Sequence, residues 1–334
     1  MNLVRLTAWL VLAAVLPLRG LATDDKKNKE TQNEVTELLA HAAALQNIRA
    51  PGSPPFHLRL RVHAEHITTK PVDGTYDEVW LIPNKWRREV TFPGFTQAEV
   101  GDEDSKWVSR NASFRPSVAF AISRALDVLA QKELLPDEEV SRFNTRKKAG
   151  AELHCADLHT SSRNRLLCFG SSGTLVSQEA QEERFEYDDY GKFGHKLFPR
   201  HMQVYQSGQR VLDMRVEGLS SAPDAKLELF QHDATAQQMA PCESTGPRVP
   251  TKRITPEYPP EARRSFQQGT VILYALLSGD GHVQEVRVVQ SVSPALDRAA
   301  TEAVRQWVYP PVQCGPVPLP TETEISVNFA LSVR

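Results

Sequence analysis

The sequence of 334 residues predicts an α+β protein with two domains. The first is a large curved antiparallel β-sheet or half-barrel with helices, and the second is a small domain of helix, β-hairpin, helix and strand. Short segments between residues 56 and 230 alternate apolar and polar side chains, as strands do. The last quarter combines a glycine-rich hairpin turn with a helical apolar face. A hydrophobic content of 40% is enough for two cores.

Residues 1–22 have the pattern of a cleaved secretory signal. Arg5 precedes an apolar run, and Gly20, Leu21 and Ala22 suit a signal peptidase. The alternative is an uncleaved anchor, although the apolar run is shorter than the ~20 residues that a helix needs to span a bilayer. We therefore expect export to the periplasm, with attachment to the inner membrane if the segment is retained.

The predicted elements that follow are a helix, many strands and a second helix. Residues 23–50 form an amphipathic helical lead-in, with apolar side chains at helical spacing from Val35 to Ile48. Residues 51–235 form the β domain, interrupted by a helix over residues 118–129. Its expected strands cover residues 57–62, 74–82, 86–92, 96–100, 105–108, 152–158, 165–169, 174–178, 182–187, 200–207, 209–218 and 226–230. Residues 236–250 lose this periodicity and are predicted to be a linker.

The four cysteines are expected to form disulfides, because an exported chain meets an oxidising compartment. Cys155 and Cys168 lie symmetrically about a polar turn, so they would face each other across a hairpin. Cys242 precedes the C-terminal domain and Cys314 lies in its last loop. We therefore expect these two cysteines to form the second disulfide, which would join the linker to the domain. A metal site is the alternative, but neither a CxxC nor an HExxH spacing occurs.

Residues 251–334 form the small domain. Pro259 and Pro260 suit the first turn of a short helix, and Gly269 ends it before an apolar strand. Gly279 and Gly281 provide the turn to a second strand. Ser293 caps a helix whose apolar face is Leu296, Ala299, Ala300, Ala303, Val304 and Trp307. The final strand covers residues 324–331. Its apolar side chains, which are predicted to be buried, alternate with Glu324, Ser326, Asn328 and Ala330.

This ordered set resembles the C-terminal domain of TonB-type energy transducers. The matching residues include Tyr258, Pro259, Gly269, Gly281, Leu296 and Trp307. The resemblance implies that a TonB-box-like peptide of an outer-membrane receptor adds to the exposed edge of the last strand. The residues it assigns to that edge are Glu324, Ile325, Ser326, Val327, Asn328, Phe329 and Ala330. Alternatives are a purely structural strand, or pairing with a second copy as a homodimer.

The β domain loosely resembles periplasmic lipoprotein carriers and receptors of the LolA and LolB type. The residues that carry the resemblance lie at 76–80, 83–89 and 198–202. In such folds the concave face holds acyl chains, which implies a lipid or acylated peptide as ligand.

No motif of the chain indicates catalysis, a metal or a cofactor. Residues 170–173 lie between two strands and are interpreted as a turn, not as a nucleophile elbow. A net charge of −2 predicts no general attraction to nucleic acid. The sequence therefore favours a non-enzymatic periplasmic protein that binds a partner peptide in energy-coupled outer-membrane transport. The alternative is a soluble periplasmic carrier of lipid or lipoprotein, with the C-terminal domain as its docking module.

Overall fold

The computed structural model describes residues 21–102, 105–148, 150–161, 163–241, 249–312 and 317–331. Two separate antiparallel sheets organise these residues, one of 13 strands and one of three. Four α-helices accompany them in the described residues: α1 (Leu21–Gln46), α2 (Ser117–Val128), α3 (Pro260–Arg264) and α4 (Pro294–Val304). The predicted fold class is confirmed.

The large sheet consists of two meanders joined side by side. Its strands are β1 (Phe56–Ala64), β2 (Val72–Ile82), β3 (Lys85–Phe92), β4 (Phe95–Asp102), β5 (Ser105–Arg110), β6 (Glu139–Lys148), β7 (Ala151–His159), β8 (Asn164–Phe169), β9 (Leu175–Ala180), β10 (Glu183–Phe193), β11 (Lys196–Gln206), β12 (Gln209–Ser221) and β13 (Gln237–Met239). Strand β1 pairs with β12, which joins the meander β1–β5 to the meander β6–β12. Strands β13 and β6 lie at the two edges, so the sheet is open.

Helices α1 and α2 pack against one face of the large sheet. Val35 and Leu39 of α1 and Ile122 of α2 join the inward side chains of the strands in one apolar core. Eight of the 12 residues of α2 are buried. A surface helix usually buries only the residues of one apolar stripe. The side of α2 that faces away from the large sheet therefore also packs against another part of the protein.

The small domain is a three-stranded sheet covered on one face by α3 and α4. Its strands are β14 (Gly269–Leu277), β15 (Val283–Gln290) and β16 (Thr321–Phe329), in the order β15-β14-β16. Leu273 of β14, Leu296 and Ala300 of α4, and Val327 of β16 belong to its core. Ser293 caps α4 as expected, because its side chain accepts a hydrogen bond from the Leu296 N–H.

The disulfide between Cys155 and Cys168 is confirmed, and it joins directly opposed residues of β7 and β8. The predicted partners Cys242 and Cys314 lie outside the described residues, as do residues 1–20 of the predicted signal. No helix in the described part of the chain is both long and apolar enough to cross a membrane.

Four sequence-based assignments of secondary structure differ from the structure. The expected strand at residues 226–230 is instead a 3₁₀ helix, Leu227–Phe230, packed against β3 and β4. Strand β6 was not predicted, and the last strand begins at Thr321 and ends at Phe329, not at residues 324 and 331. Residues 237–239 fall in the predicted linker, but they add β13 to the large sheet beside β5.

Candidate partner-binding edge

The last strand, β16, has one edge that pairs with β14 and one that pairs with no other strand in the part of the chain that the structure describes. Ile325, Val327 and Phe329 are buried against the helices, as the alternation predicted. Ser326 and Asn328 are exposed on the opposite face. Ala330 follows the strand and is also exposed, whereas Glu324 is only partly exposed.

The direction of the backbone groups of β16 follows from two hydrogen bonds at its ends. The Leu331 N–H donates to Gln268 Oε1, just before β14, over 2.8 Å. At the other end, the Pro320 carbonyl accepts a hydrogen bond of 2.9 Å from the Ala240 N–H. Ala240 belongs to neither β14 nor β16. In an antiparallel pair the N–H and C=O of one residue point the same way, and the direction alternates along the strand. The register is unbroken, so this alternation predicts that Ser326 and Asn328 direct their backbone groups to the open edge.

The first half of β16 contacts the large domain through its outer face. Glu322 accepts two hydrogen bonds from the Arg110 guanidinium, at 2.6 and 2.8 Å. The Tyr274 hydroxyl of β14 donates to the same carboxylate over 2.7 Å. Burial favours a neutral Glu322, but the hydrogen bond and charge of Arg110 outweigh it and hold the pKa of that carboxyl below its ordinary value.

Helix α2 forms the other half of this contact. Phe120 of α2 and Phe114, which precedes it, lie against the Tyr274 ring, with centroids 6.4 and 5.8 Å away. Arg124 of α2 bridges Glu183 of the large sheet and Glu324 of β16, at 2.8 and 3.0 Å. The second neighbour of α2 is therefore the small sheet, and Glu324 is held by the large domain.

The motif residues of the small domain have structural contacts. Trp307 is 4% exposed, and its indole N–H donates to the Ile254 carbonyl over 2.8 Å. Tyr258 packs edge-on against Phe329, and its hydroxyl donates to the Gln267 carbonyl. Gly281 has a φ of +87°, and its carbonyl accepts the N–H of Tyr309. Leu296 is fully buried, Pro259 precedes α3, and Gly269 begins β14 opposite Phe329.

The face of the large sheet that the helices cover is filled. A cavity of about 10 Å³ lies between α1, α2 and the sheet, lined by Ile48, Arg49, Leu58, Glu78, Leu126 and Phe198, among others. That volume holds about one water molecule. A second recess, at residues 224–228, is an open surface depression. No cluster of three or more potential metal ligands is present among the described residues.

Residues 254–331 match the family model described as the Gram-negative bacterial TonB protein C-terminal. Protein TonB of Vibrio cholerae is 30% identical over 86 residues, which are 25% of this chain and 35% of that protein. Protein TonB of Xanthomonas campestris pv. campestris is 37% identical over 78 residues, 23% of this chain and 35% of that protein. The matched part therefore spans about a third of these relatives.

Two solved structures are similar in fold to part of the chain. A LolA superfamily protein from Nitrosomonas europaea has a TM-score of 0.40 at 12% identity, covering 58% of this chain and 96% of that one. A putative outer membrane lipoprotein-sorting protein domain from Vibrio parahaemolyticus has a TM-score of 0.40 at 10% identity, covering 61% and 97%. These are the kinds of protein that the β domain was expected to resemble.

Proposed function

We propose that this protein binds an extended segment of a partner protein by strand addition at the open edge of β16. The observation that carries the proposal is the edge of β16 that no other described strand covers, beside the exposed residues Ser326 and Asn328, in a domain that matches the TonB C-terminal family model. Strand addition takes affinity from main-chain hydrogen bonds and specificity from alternate side chains. The proposed setting is energy-coupled transport at the outer membrane, with a receptor segment as partner.

The proposed binding site is the second half of β16 together with Ala330, which follows it: residues 325–330. Glu322 and Glu324 are already engaged by Arg110 and Arg124 of the large domain. The anchoring side chains Ile325, Val327 and Phe329 fix this half of the strand to its own core. The partner would therefore add beside a rigid strand whose outer face is polar.

We propose a periplasmic location and a non-enzymatic role, as the sequence predicts. An inner-membrane anchor is the alternative if residues 1–22 are retained. The other alternative is a soluble carrier of lipid or acylated peptide with the C-terminal domain as its docking module; in the described conformation α1 and α2 cover the sheet face that would hold the acyl chain.

The proposal is tested with peptides that represent the periplasm-facing N-terminal segments of the host's own outer-membrane receptors. Asn328→Pro removes an N–H that points to the open edge while leaving the pairing with β14 in place. We expect the wild-type chain to bind at least one peptide and Asn328→Pro to weaken that binding at least about tenfold, as loss of a hydrogen bond and a steric block predict. Titration calorimetry measures both.

Asn328→Ala is the matched control, because it removes the side chain and keeps the backbone donor. We expect it to bind nearly as well as the wild type. Binding that survives Asn328→Pro would place the peptide elsewhere and refute the edge as its site. If the wild-type chain binds no peptide and instead forms dimers that Asn328→Pro disrupts, the edge serves self-association and the proposed function is wrong.

A further inference from the structure

The protein's own chain occupies the beginning of the open edge of β16. The Pro320 carbonyl, just before the strand, accepts a hydrogen bond of 2.9 Å from the Ala240 N–H. Ser278, the first residue after β14, donates its N–H to the His282 carbonyl on the β15 side. Because backbone directions alternate and the last residue of β14 pairs with the first of β16, the Pro320 carbonyl faces away from β14. Ala240 therefore takes the place that a partner strand would need beside Pro320.

Ala240 is held in this place by the large domain. It directly follows β13, which pairs with β5 of the large sheet. Met239 and Ala240 are both only 2% exposed. The Gln238 side chain of β13 also donates to the Ser105 hydroxyl over 3.0 Å. The residue that covers the beginning of the edge thus belongs to the large domain.

The contact between the two domains has a polar composition. Besides the rings around Tyr274, it includes the ion pairs Arg110–Glu322 and Arg124–Glu324, both at the same end of β16. Glu324 Oε1 is buried without a hydrogen-bond partner among the described residues. Such an atom costs free energy that contact with water would recover. Polar contacts between domains allow relative motion, unlike large hydrophobic ones.

We propose that the docked large domain shortens the binding edge of β16 and so limits the length of the partner segment. In the docked form the partner pairs with residues 325–330, and it extends along residues 320–324 only when the domains separate. This inference rests on the proposed function, since it concerns the regulation of the same edge. Each main-chain hydrogen bond gained on extension adds affinity, so a longer segment favours the separated form.

The test compares peptides of two lengths on the full chain. The probe is the receptor-segment peptide that binds the wild-type chain, resynthesised with Thr-Val-Thr-Val added at either end. One of the two extensions then lies beside residues 320–324, whichever way the added strand runs. An extension of Thr-Pro-Thr-Pro is the control peptide, because proline has no N–H to donate.

The double variant Arg110→Ala with Arg124→Ala loosens the contact without changing the small domain. Both arginines belong to the large domain, and they are the ion-pair partners of Glu322 and Glu324. Without them the two carboxylates are buried and unpaired until the domains separate, which favours separation.

Arg61→Ala is the matched control variant, because Arg61 pairs with Glu217 within the large sheet. Hydrogen exchange of the Ala240 amide reports whether the contact opens, since its acceptor is the Pro320 carbonyl of the other domain. It should be faster in the double variant than in the wild type or in Arg61→Ala.

We expect the wild-type chain and Arg61→Ala to bind the parent and the extended peptides with similar affinity. The double variant should bind the parent peptide as the wild type does. One Thr-Val-Thr-Val extension should bind the double variant about tenfold more tightly, the scale of two main-chain hydrogen bonds, and no Thr-Pro-Thr-Pro extension should. Titration calorimetry measures all of these affinities.

Three results would overturn the inference while leaving the edge as the binding site. An equal gain for wild type and double variant would show that the docked domain does not limit the edge. No gain in the double variant, despite faster exchange at Ala240, would show that the partner does not pair beside residues 320–324. Unchanged exchange at Ala240 would show that the two arginines do not hold the large domain there. Absence of any binding of the parent peptide would instead refute the proposed function, and this inference with it.

Discussion

Glu78 is a fully buried carboxylate that holds two guanidinium groups of the large domain. Arg49 approaches it at 2.8 Å and Arg88 at 3.0 Å, and the Tyr76 hydroxyl donates to it over 3.1 Å. Burial alone would raise the pKa of Glu78, but the two arginines outweigh it and lower the pKa below its ordinary value. The same surroundings raise the pKa of Tyr76, first through burial and then through the Glu78 charge.

We predict that Glu78→Gln destabilises the protein by about 3–5 kcal/mol, because Arg49 and Arg88 lose the buried carboxylate that they share, even though Arg49 keeps its ion pair with Asp127. Urea unfolding measures the change. Glu89→Gln is the matched control: Glu89 pairs with Arg87 of the same strand, β3, but both side chains are substantially exposed. That pair should be worth at most about 1 kcal/mol. Equal costs for the two variants would contradict the role assigned to burial.

The same carboxylate predicts how stability depends on pH. A carboxyl whose folded pKa is lowered stabilises the fold above its unfolded pKa of about 4.3, and this contribution is lost as pH falls towards the lowered value. Repeating the urea series below pH 5 should therefore show a decline in wild-type stability that is shallower in Glu78→Gln. A parallel decline in both proteins would assign the acid sensitivity to other carboxylates.

The hairpin between β14 and β15 is fixed to the segment after α4 by direct backbone contact. A Cβ atom built on Gly281 would lie 1.9 Å from the Tyr309 carbonyl oxygen, and the Gly281 φ is +87°. Gly208, in the hairpin between β11 and β12, has a φ of +80° but no heavy atom within 4 Å of its Cβ position. The two turns therefore share a backbone conformation and differ in their surroundings.

We predict that Gly208→Ala costs only the left-handed penalty of about 1–2 kcal/mol, and that Gly281→Ala costs clearly more. The additional cost arises because the hairpin must separate from Tyr309. Urea unfolding of the full chain, followed by the fluorescence of its tryptophans, compares the two variants. Similar costs would mean that the turn relaxes without disturbing the contact with Tyr309.

The elements that the sequence predicted well are those whose side-chain pattern is local. The apolar face of α4, its Ser293 cap and the alternation of Ile325, Val327 and Phe329 all depend on neighbours within one element. The opposed cysteines of β7 and β8 also follow from one hairpin. These predictions needed no knowledge of the tertiary fold.

The elements that the sequence did not predict depend on distant partners. Strand β6 carries Arg142, Arg146, Lys147 and Lys148, and charged side chains suit a sheet edge but obscure the strand pattern. Residues 226–230 contain apolar residues typical of a strand, yet Phe230 packs as part of a 3₁₀ helix on the large sheet. No local pattern joins Arg110 to Glu322, which lies 212 residues away.

At the scale of the whole molecule, α2 couples the two sheets. It packs on the large sheet through Ile122 and Leu126 and contacts the small sheet through Phe120 and Arg124. Arg110 extends this contact to Glu322 near the start of β16, and both side chains are largely buried. The strand proposed to bind the partner is thus held by its own domain on one face and by the large domain on the other.

We predict that the pair Arg110–Glu322 fastens the two domains together. In a double-mutant cycle of Arg110→Ala and Glu322→Gln, the coupling free energy of unfolding should be about 1–3 kcal/mol. Each variant should also increase hydrogen exchange in α2, because loss of the contact exposes that helix to solvent. Glu261→Gln is the control, since Glu261 of α3 pairs with Arg298 of α4 within the small domain and both side chains are exposed. Unchanged protection of α2 in all three variants would show that the aromatic contacts of Tyr274 hold the domains without this ion pair.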